Sequence, residues 1–170
     1  MFDVSTARDF YAILVEDFDE YFAEAHSARR AMHCALTAYH LHEWVWAEIS
    51  KSPDILTKLE ISKRDKGQFL KWIDGACVYF PMVQELANGT KHFAHGDGTK
   101  TMLVGGWGQG PYGVGPFGKG YLLIDYGEGA GEHRWQTALT LLEVVVRFWR
   151  DFFLRYLPMP DLPVSKHHVD

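Results

Sequence analysis

The last third of the chain is the strongest constraint on the fold. Trp135, Ala138, Leu142, Val145, Trp149, Phe152 and Tyr156 recur about every 3.5 residues, which is helical spacing. Leu139, Leu141, Val144, Val146 and Phe148 widen that stripe. A helix this apolar must be covered on several sides, so other helices have to surround it. The pattern predicts one long central helix over 132–157. Glu143 and Arg147, four residues apart, form a favourable pair on its remaining polar strip. The same run cannot cross a bilayer, which takes about 20 clean apolar residues, because Glu143, Arg147, Arg150 and Asp151 interrupt it.

The helices to pack around it are signalled upstream. Thr6 and Asp9 form a capping-box pair, followed by a stripe of Phe10, Leu14, Phe18, Tyr21 and Ala25. Ser27 can cap a second helix reaching about residue 49, with Ala28, Ala31, Ala35 and Ala38 small enough to admit a close neighbour. Ser52 and Pro53 suit the first positions of a short helix. Ser62 and Asp65 read as another capping box, before Phe69, Leu70, Trp72 and Ile73. Gly75 is expected to close that helix, and Pro81 to open the next, with Val83, Leu86 and Ala87 inward.

The texture then changes. Eleven of the 16 glycines fall between Gly105 and Gly131, flanked by β-like runs at 99–104 and 121–126. This reads as a β-hairpin insertion over about 99–126 with a glycine-rich connection longer than hairpins need. Gly108–Gly113 and Gly113–Gly118 both spell G-x-G-x-x-G. A dinucleotide site needs a helix to start there, whereas Pro111 and Pro116 recur and a strand follows, so the nucleotide-cofactor reading is rejected. Trp107, Tyr112 and Phe117 either fold back on the core edge or stack on a ligand or a protein partner. The expected fold is mostly α. It is a bundle of about four main helices forming one domain over 1–157, with the hairpin inserted before the last helix. An extended, poorly ordered tail follows at 158–170, where Pro158, Pro160 and Pro163 cluster.

Composition closes off other classes. At 47% hydrophobic and 23% charged the chain is no disordered segment, and a net charge of −5 argues against bulk nucleic-acid binding. Cys34 and Cys77 lie in apolar segments and read as small buried hydrophobes rather than a disulfide framework. The opening Met-Phe-Asp-Val-Ser has neither the basic nor the apolar region of a leader. The expectation is a cytoplasmic protein with no membrane contact and no cofactor.

Nine histidines invite a site. His26, His33 and His40 are seven apart and project from nearly one helical face, with Thr37 and Trp44 along it. One alternative is a metal-dependent enzyme in which His40 and Glu43 meet His92 and His95, since imidazole and carboxylate suit zinc-like ions. No HExxH or CxxC supports it, and the plain alternative is a seam of hydrogen-bonded histidines.

The most distinctive segment is Ala87-Asn88-Gly89-Thr90-Lys91-His92-Phe93, together with the earlier run His40 to Trp46. The pair resembles a group of uncharacterised bacterial helical proteins that look HEPN-like. The resemblance covers about 31–93 and, loosely, the hairpin and last helix. It implies a helical bundle, often dimeric, of a kind that frequently cuts RNA without a metal. The HEPN signature is an arginine, often followed by a polar residue, then a histidine after four to six residues. His92 takes the histidine position and Asn88 the polar one, but the arginine position holds Ala87. Histidine would move the proton and arginine would steady the phosphate charge as it develops. With the arginine replaced, the resemblance implies RNA or nucleotide binding without efficient HEPN ribonuclease activity, and it leaves open whether the chain is an enzyme. His92 is the catalytic candidate, and the ligand-binding candidates are Asn88, Lys91 and His92, with His40 and Trp44 expected opposite them. A homodimer is a further expectation, and a protein-interaction module of a toxin–antitoxin or defence pair is a further alternative.

Overall fold

The computed structural model describes residues 3–62, 65–89, 100–105, 109–116, 118–158 and 160–167. The fold is mostly α, with six α-helices and a small antiparallel sheet among these residues. Helix α1 (Ala7–Ala23) starts as its capping box requires. The Asp9 N–H donates to the Thr6 hydroxyl at 3.1 Å, and the Thr6 N–H donates to the Asp9 carboxylate at 2.9 Å. Hydrogen bonds from Ser5 and Thr6 hold the Asp9 carboxyl below its usual range.

Ser27 caps α2 (Ala28–Ile49). Its buried Cys34, Ala35 and Ala38 are small, which lets α1 lie closely along it. After α3 (Pro53–Lys58), α4 (Lys66–Ala76) takes its cap from Asp65, whose carboxylate accepts the Gly67 N–H at 2.8 Å. The expected capping box at Ser62 is therefore not the start of this helix, and Gly75 lies inside it rather than closing it. Helix α5 (Phe80–Gly89) begins one residue before Pro81.

Helix α6 (Ala138–Tyr156) is shorter than expected. Gly131, at φ +55, breaks helical geometry in a 3-10 segment (Glu128–His133). The next residues pair with the sheet instead, and Thr137 caps α6 through the Thr140 N–H at 3.0 Å. The expected hairpin thus has a third strand. β1 (Lys100–Val104), β2 (Tyr121–Asp125) and β3 (Trp135–Thr137) run antiparallel in that order, with Leu103 opposite Leu122 and Ile124 opposite Gln136.

One apolar core joins all six helices to Leu122 and Ile124 of β2. Trp149 of α6 lies at its centre, fully buried, and its indole Nε1–H donates to the Ala38 carbonyl at 2.9 Å. The inner side of α6 closes this core, but its outer side is open, so α6 is not covered all round as the apolar run predicts; α2 is the helix that packs against all the others. The opposite face of the sheet is covered by the glycine-rich loop. The Tyr121 hydroxyl donates to the Val114 carbonyl at 2.7 Å, and Gly110 and Gly115 lie against the same ring. At Gly115, φ is +83 and a Cβ would collide with that ring, so only glycine fits. The loop therefore folds back over 109–116, while Tyr112 stands fully exposed; Trp107 and Phe117 lie outside the described residues.

The segment after Pro158, expected to be loose, is tied down near its end. Ser165 is buried and its hydroxyl donates to the Asp19 carboxylate at 2.5 Å. The His167 ring stacks on Phe22 with centroids 3.9 Å apart. Partners on α1, distant in sequence, supply this order, which is why local composition does not signal it. Among the described residues no helix is long and apolar enough to cross a membrane.

Candidate functional site

Helix α2 carries His40, Glu43 and Trp44 of the predicted chemistry, and the structure divides its faces between two neighbours. Residues 33, 37, 40 and 44 follow one strip, as their spacing requires. That strip faces α1. The Thr37 hydroxyl donates to the Asp17 carboxylate at 2.6 Å, and Trp44 stacks on Phe10 with centroids 5.1 Å apart. His26 precedes the helix and is exposed, as is His33, while His40 is half-buried.

Helix α5 packs on a different face of α2. Phe80 lies against both Tyr39 and His42, and one turn on, the Gln84 amide donates to the Tyr39 hydroxyl at 3.2 Å. Tyr39 and Trp44 are five residues apart, about 140° around the helix. Trp44 therefore does not stand opposite Asn88 as expected; Phe10 occupies it instead. Asn88 is exposed at the end of α5, one turn beyond Gln84.

The seam between α2 and α5 holds a histidine that the seven-residue spacing passes over. His42 is 2% exposed. Its Nδ1–H donates to the Tyr39 carbonyl at 2.5 Å, which leaves Nε2 with a bare lone pair when the ring is neutral. Burial pushes its pKa down, although the Tyr39 carbonyl and Glu43 favour the charged form. The signal was present: Ala38, His42, Val45 and Ile49 fall at helical core spacing.

Glu43 is committed elsewhere. It accepts from the Lys66 ammonium at 2.9 Å, tying α2 to the start of α4, and that bond holds its carboxyl below the usual range. Among the described residues no three His, Cys, Asp or Glu side chains come together as a metal site. Lys91, His92 and His95, on which both the metal alternative and the catalytic expectation depend, lie outside the described residues.

Nearby, Tyr126 follows β2 with a buried hydroxyl that has no hydrogen-bond partner among the described residues. Burial, with Glu85 close by, pushes its pKa up. The arginine slot of the resemblance falls at Ala87, which is 1% exposed on the core side of α5.

A second feature lies across the molecule. An open groove of about 750 Å³ runs between the end of α4 and the outer side of α6. Trp72, Cys77 and Val78 form one wall, and Phe148, Leu154, Arg155 and Tyr156 the other. Val78 is 64% and Leu154 52% exposed. The only sequence signal for it is the excess apolar width of the last helix, more than one core can cover. Compared with known proteins, the chain matches no family model, no curated protein and no solved structure.

Proposed function

We propose that the chain is a HEPN-like domain that binds RNA or a nucleotide beside the end of α5 and does not cleave it efficiently. The observation that carries the reading is the pairing of Ala87 and Asn88. Asn88 presents an amide to solvent, suited to a base edge or a phosphate oxygen. Ala87 beside it points into the core, so the slot that holds arginine in the resemblance supplies no cation. Without a guanidinium, charge developing on a phosphate in that slot is not stabilised. Lys91 and His92 follow in sequence and, with His40 of α2, complete the proposed ligand set. Cytoplasmic residence belongs to the same proposal, and the unpaired, buried thiols of Cys34 and Cys77 favour it.

The experiment is a melting scan with RNA oligonucleotides and nucleotides, run beside a cleavage assay. A ligand selective for the folded state raises the melting temperature. The expected result is a shift that Asn88→Ala and His92→Ala remove and Trp44→Ala keeps, with the RNA left intact. RNA cleavage that His92→Ala abolishes would overturn the reading. Ala87→Arg is expected to destabilise the fold rather than create a nuclease, because it forces a charge into the core.

One observation favours a second reading, a protein partner held by the glycine-rich loop. Tyr112 is fully exposed at the loop's tip, next to Gly113 at φ +80. Tyr112→Ala, rather than deletion of the loop, is the clean test, because Val114 and Gly115 cover Tyr121.

A further inference from the structure

The sheet ends on one side at β1, and its hydrogen-bond phase says which backbone groups face outward. The Tyr126 N–H donates to the Arg134 carbonyl at 2.9 Å, on the β3 side. Backbone groups of successive strand residues alternate in direction, so Leu122 and Ile124 also turn away from β1. The Leu122 N–H accordingly donates to the Ala25 carbonyl at 3.3 Å. Tyr121, Leu123 and Asp125 are then the residues that exchange bonds with Val104, Met102 and Lys100 opposite them. Thr101 and Leu103 are left with N–H and C=O aimed at the free edge. Neither backbone has a hydrogen-bond partner among the described residues. The next outward group in line, the Gly105 N–H, donates to Gln109 Oε1 at 3.2 Å, which closes the edge at that end.

This edge lacks the devices that keep strands from pairing. Natural edge strands are blunted by proline, bulges or charge. β1 runs in unbroken register with β2, has no proline, and carries a single charge, at Lys100. Its side chains are open as well, with Met102 41% and Leu103 62% exposed. Residues opposite each other share a face of the sheet. Leu103 therefore lies beside Leu122 on the core side, and Met102 beside Leu123 on the loop side. Lys100 stands opposite Asp125, but Arg134 already holds that carboxylate at 2.9 Å. Lys100 has no ion pair among the described residues.

We propose that β1 takes up an extended segment of a partner protein as a fourth strand of the sheet. Another backbone in extended form offers donors and acceptors at the spacing of Thr101 and Leu103, which side chains or a small molecule do not. Both existing pairings are antiparallel, and a third of that kind lets Thr101 and Leu103 each exchange both bonds with one incoming residue. The exposed side chains set the partner's chemistry. Apolar residues opposite Leu103 and Met102 continue the two apolar layers of β2, and an acid opposite Lys100 meets an unpaired cation. The edge shares no residue with the ligand reading, and it is a different surface from the loop tip at Tyr112.

Amide exchange by nuclear magnetic resonance, on the full chain with the capped peptide acetyl-Thr-Val-Val-Thr-Glu-amide, tests it. In the free chain the Thr101 and Leu103 amides are expected to exchange quickly with solvent, while the Met102 amide is protected. The peptide is expected to protect both, with a Kd on the order of 100 μM for so short an edge. N-methylating its first valine and second threonine removes the N–H groups that meet Leu103 and Thr101. That change is expected to weaken binding about tenfold or more. Leu103→Pro is expected to do the same, because it deletes an outward N–H and no bond to β2. Circular dichroism checks that this variant folds; if it does not, the N-methylated peptide decides, since it leaves the protein unchanged. Thr101 and Leu103 amides already protected in the free chain, or unprotected at millimolar peptide, overturn the proposal. Binding indifferent to N-methylation does so too. Self-association that Leu103→Pro abolishes would give the edge to a second copy and overturn the choice of occupant.

Discussion

Helices α2 and α6 are both long and rich in rings, yet they use them differently. On α2 the partners are internal. Trp44 stacks on Phe10 and Trp46 on Phe69, and Tyr39 lies tilted against Phe80. On α6 the inner rings, Trp149 and Phe153, close the core, while Phe148 and Tyr156 line an open groove. The sequence drew attention to α2, because histidine and tryptophan are the residues of sites. What makes a ring available is whether a neighbouring element covers it. By that measure the outer face of α6 offers more to a partner than the histidine strip does.

The largest expected effect separates the two sides of α6. Trp149→Ala removes the central ring and the bond to the Ala38 carbonyl, and is expected to cost about 3–5 kcal/mol in denaturant unfolding. A loss under about 1 kcal/mol would mean that the centre of the core lies elsewhere. Next comes the loop over the sheet. Gly115→Ala forces a side chain against Tyr121 at positive φ and is expected to cost about 1–3 kcal/mol. An unchanged melting temperature would show that the loop does not hold the Tyr121 ring.

A smaller effect tests the α2–α5 seam. His42 is held neutral by burial, so the unfolded chain takes up its proton near pH 6.5 and the folded chain only below that. Between those two values the unfolded state binds more protons. Stability is therefore full above about pH 6.5 and falls as the pH drops through the folded value. Glu43, Lys66 and His40 act on the same ring. Urea unfolding from pH 5 to 8 should show the decline, and His42→Phe should flatten it. An equal decline in the variant would assign it to another group. Smallest of all, Leu154→Ala on the exposed face of α6 is expected to change monomer stability by less than about 0.5 kcal/mol, which sharpens the contrast with Trp149.

Much of the fold was legible in the chain. Thr6, Ser27, Thr137 and Asp65 all act as caps, but only the first two stood out as such, because Ser62 competes with Asp65 and the apolar run hides Thr137. The missed strand Trp135–Thr137 has the same cause. Its residues continue the helical pattern of the segment that follows, and only pairing with β2 draws them into extended form. Of the proposed site, the resemblance supplied Asn88 and the arginine position at Ala87, and the reading set Trp44 opposite them; Trp44 meets Phe10 instead, because spacing along one helix does not say which neighbour each face meets.

Periodicity and caps are local properties, fixed by backbone geometry over a few residues. They determined that this chain forms a helical bundle closed by one long apolar helix, with glycines reserved for a tight loop. Burial and partnership are not local. That His42 rather than His40 lies in the core, that Ser165 closes on Asp19, and that one face of α6 stays open were decided only when distant segments came together. Each depends on which surface covers which, and a single segment carries no record of that.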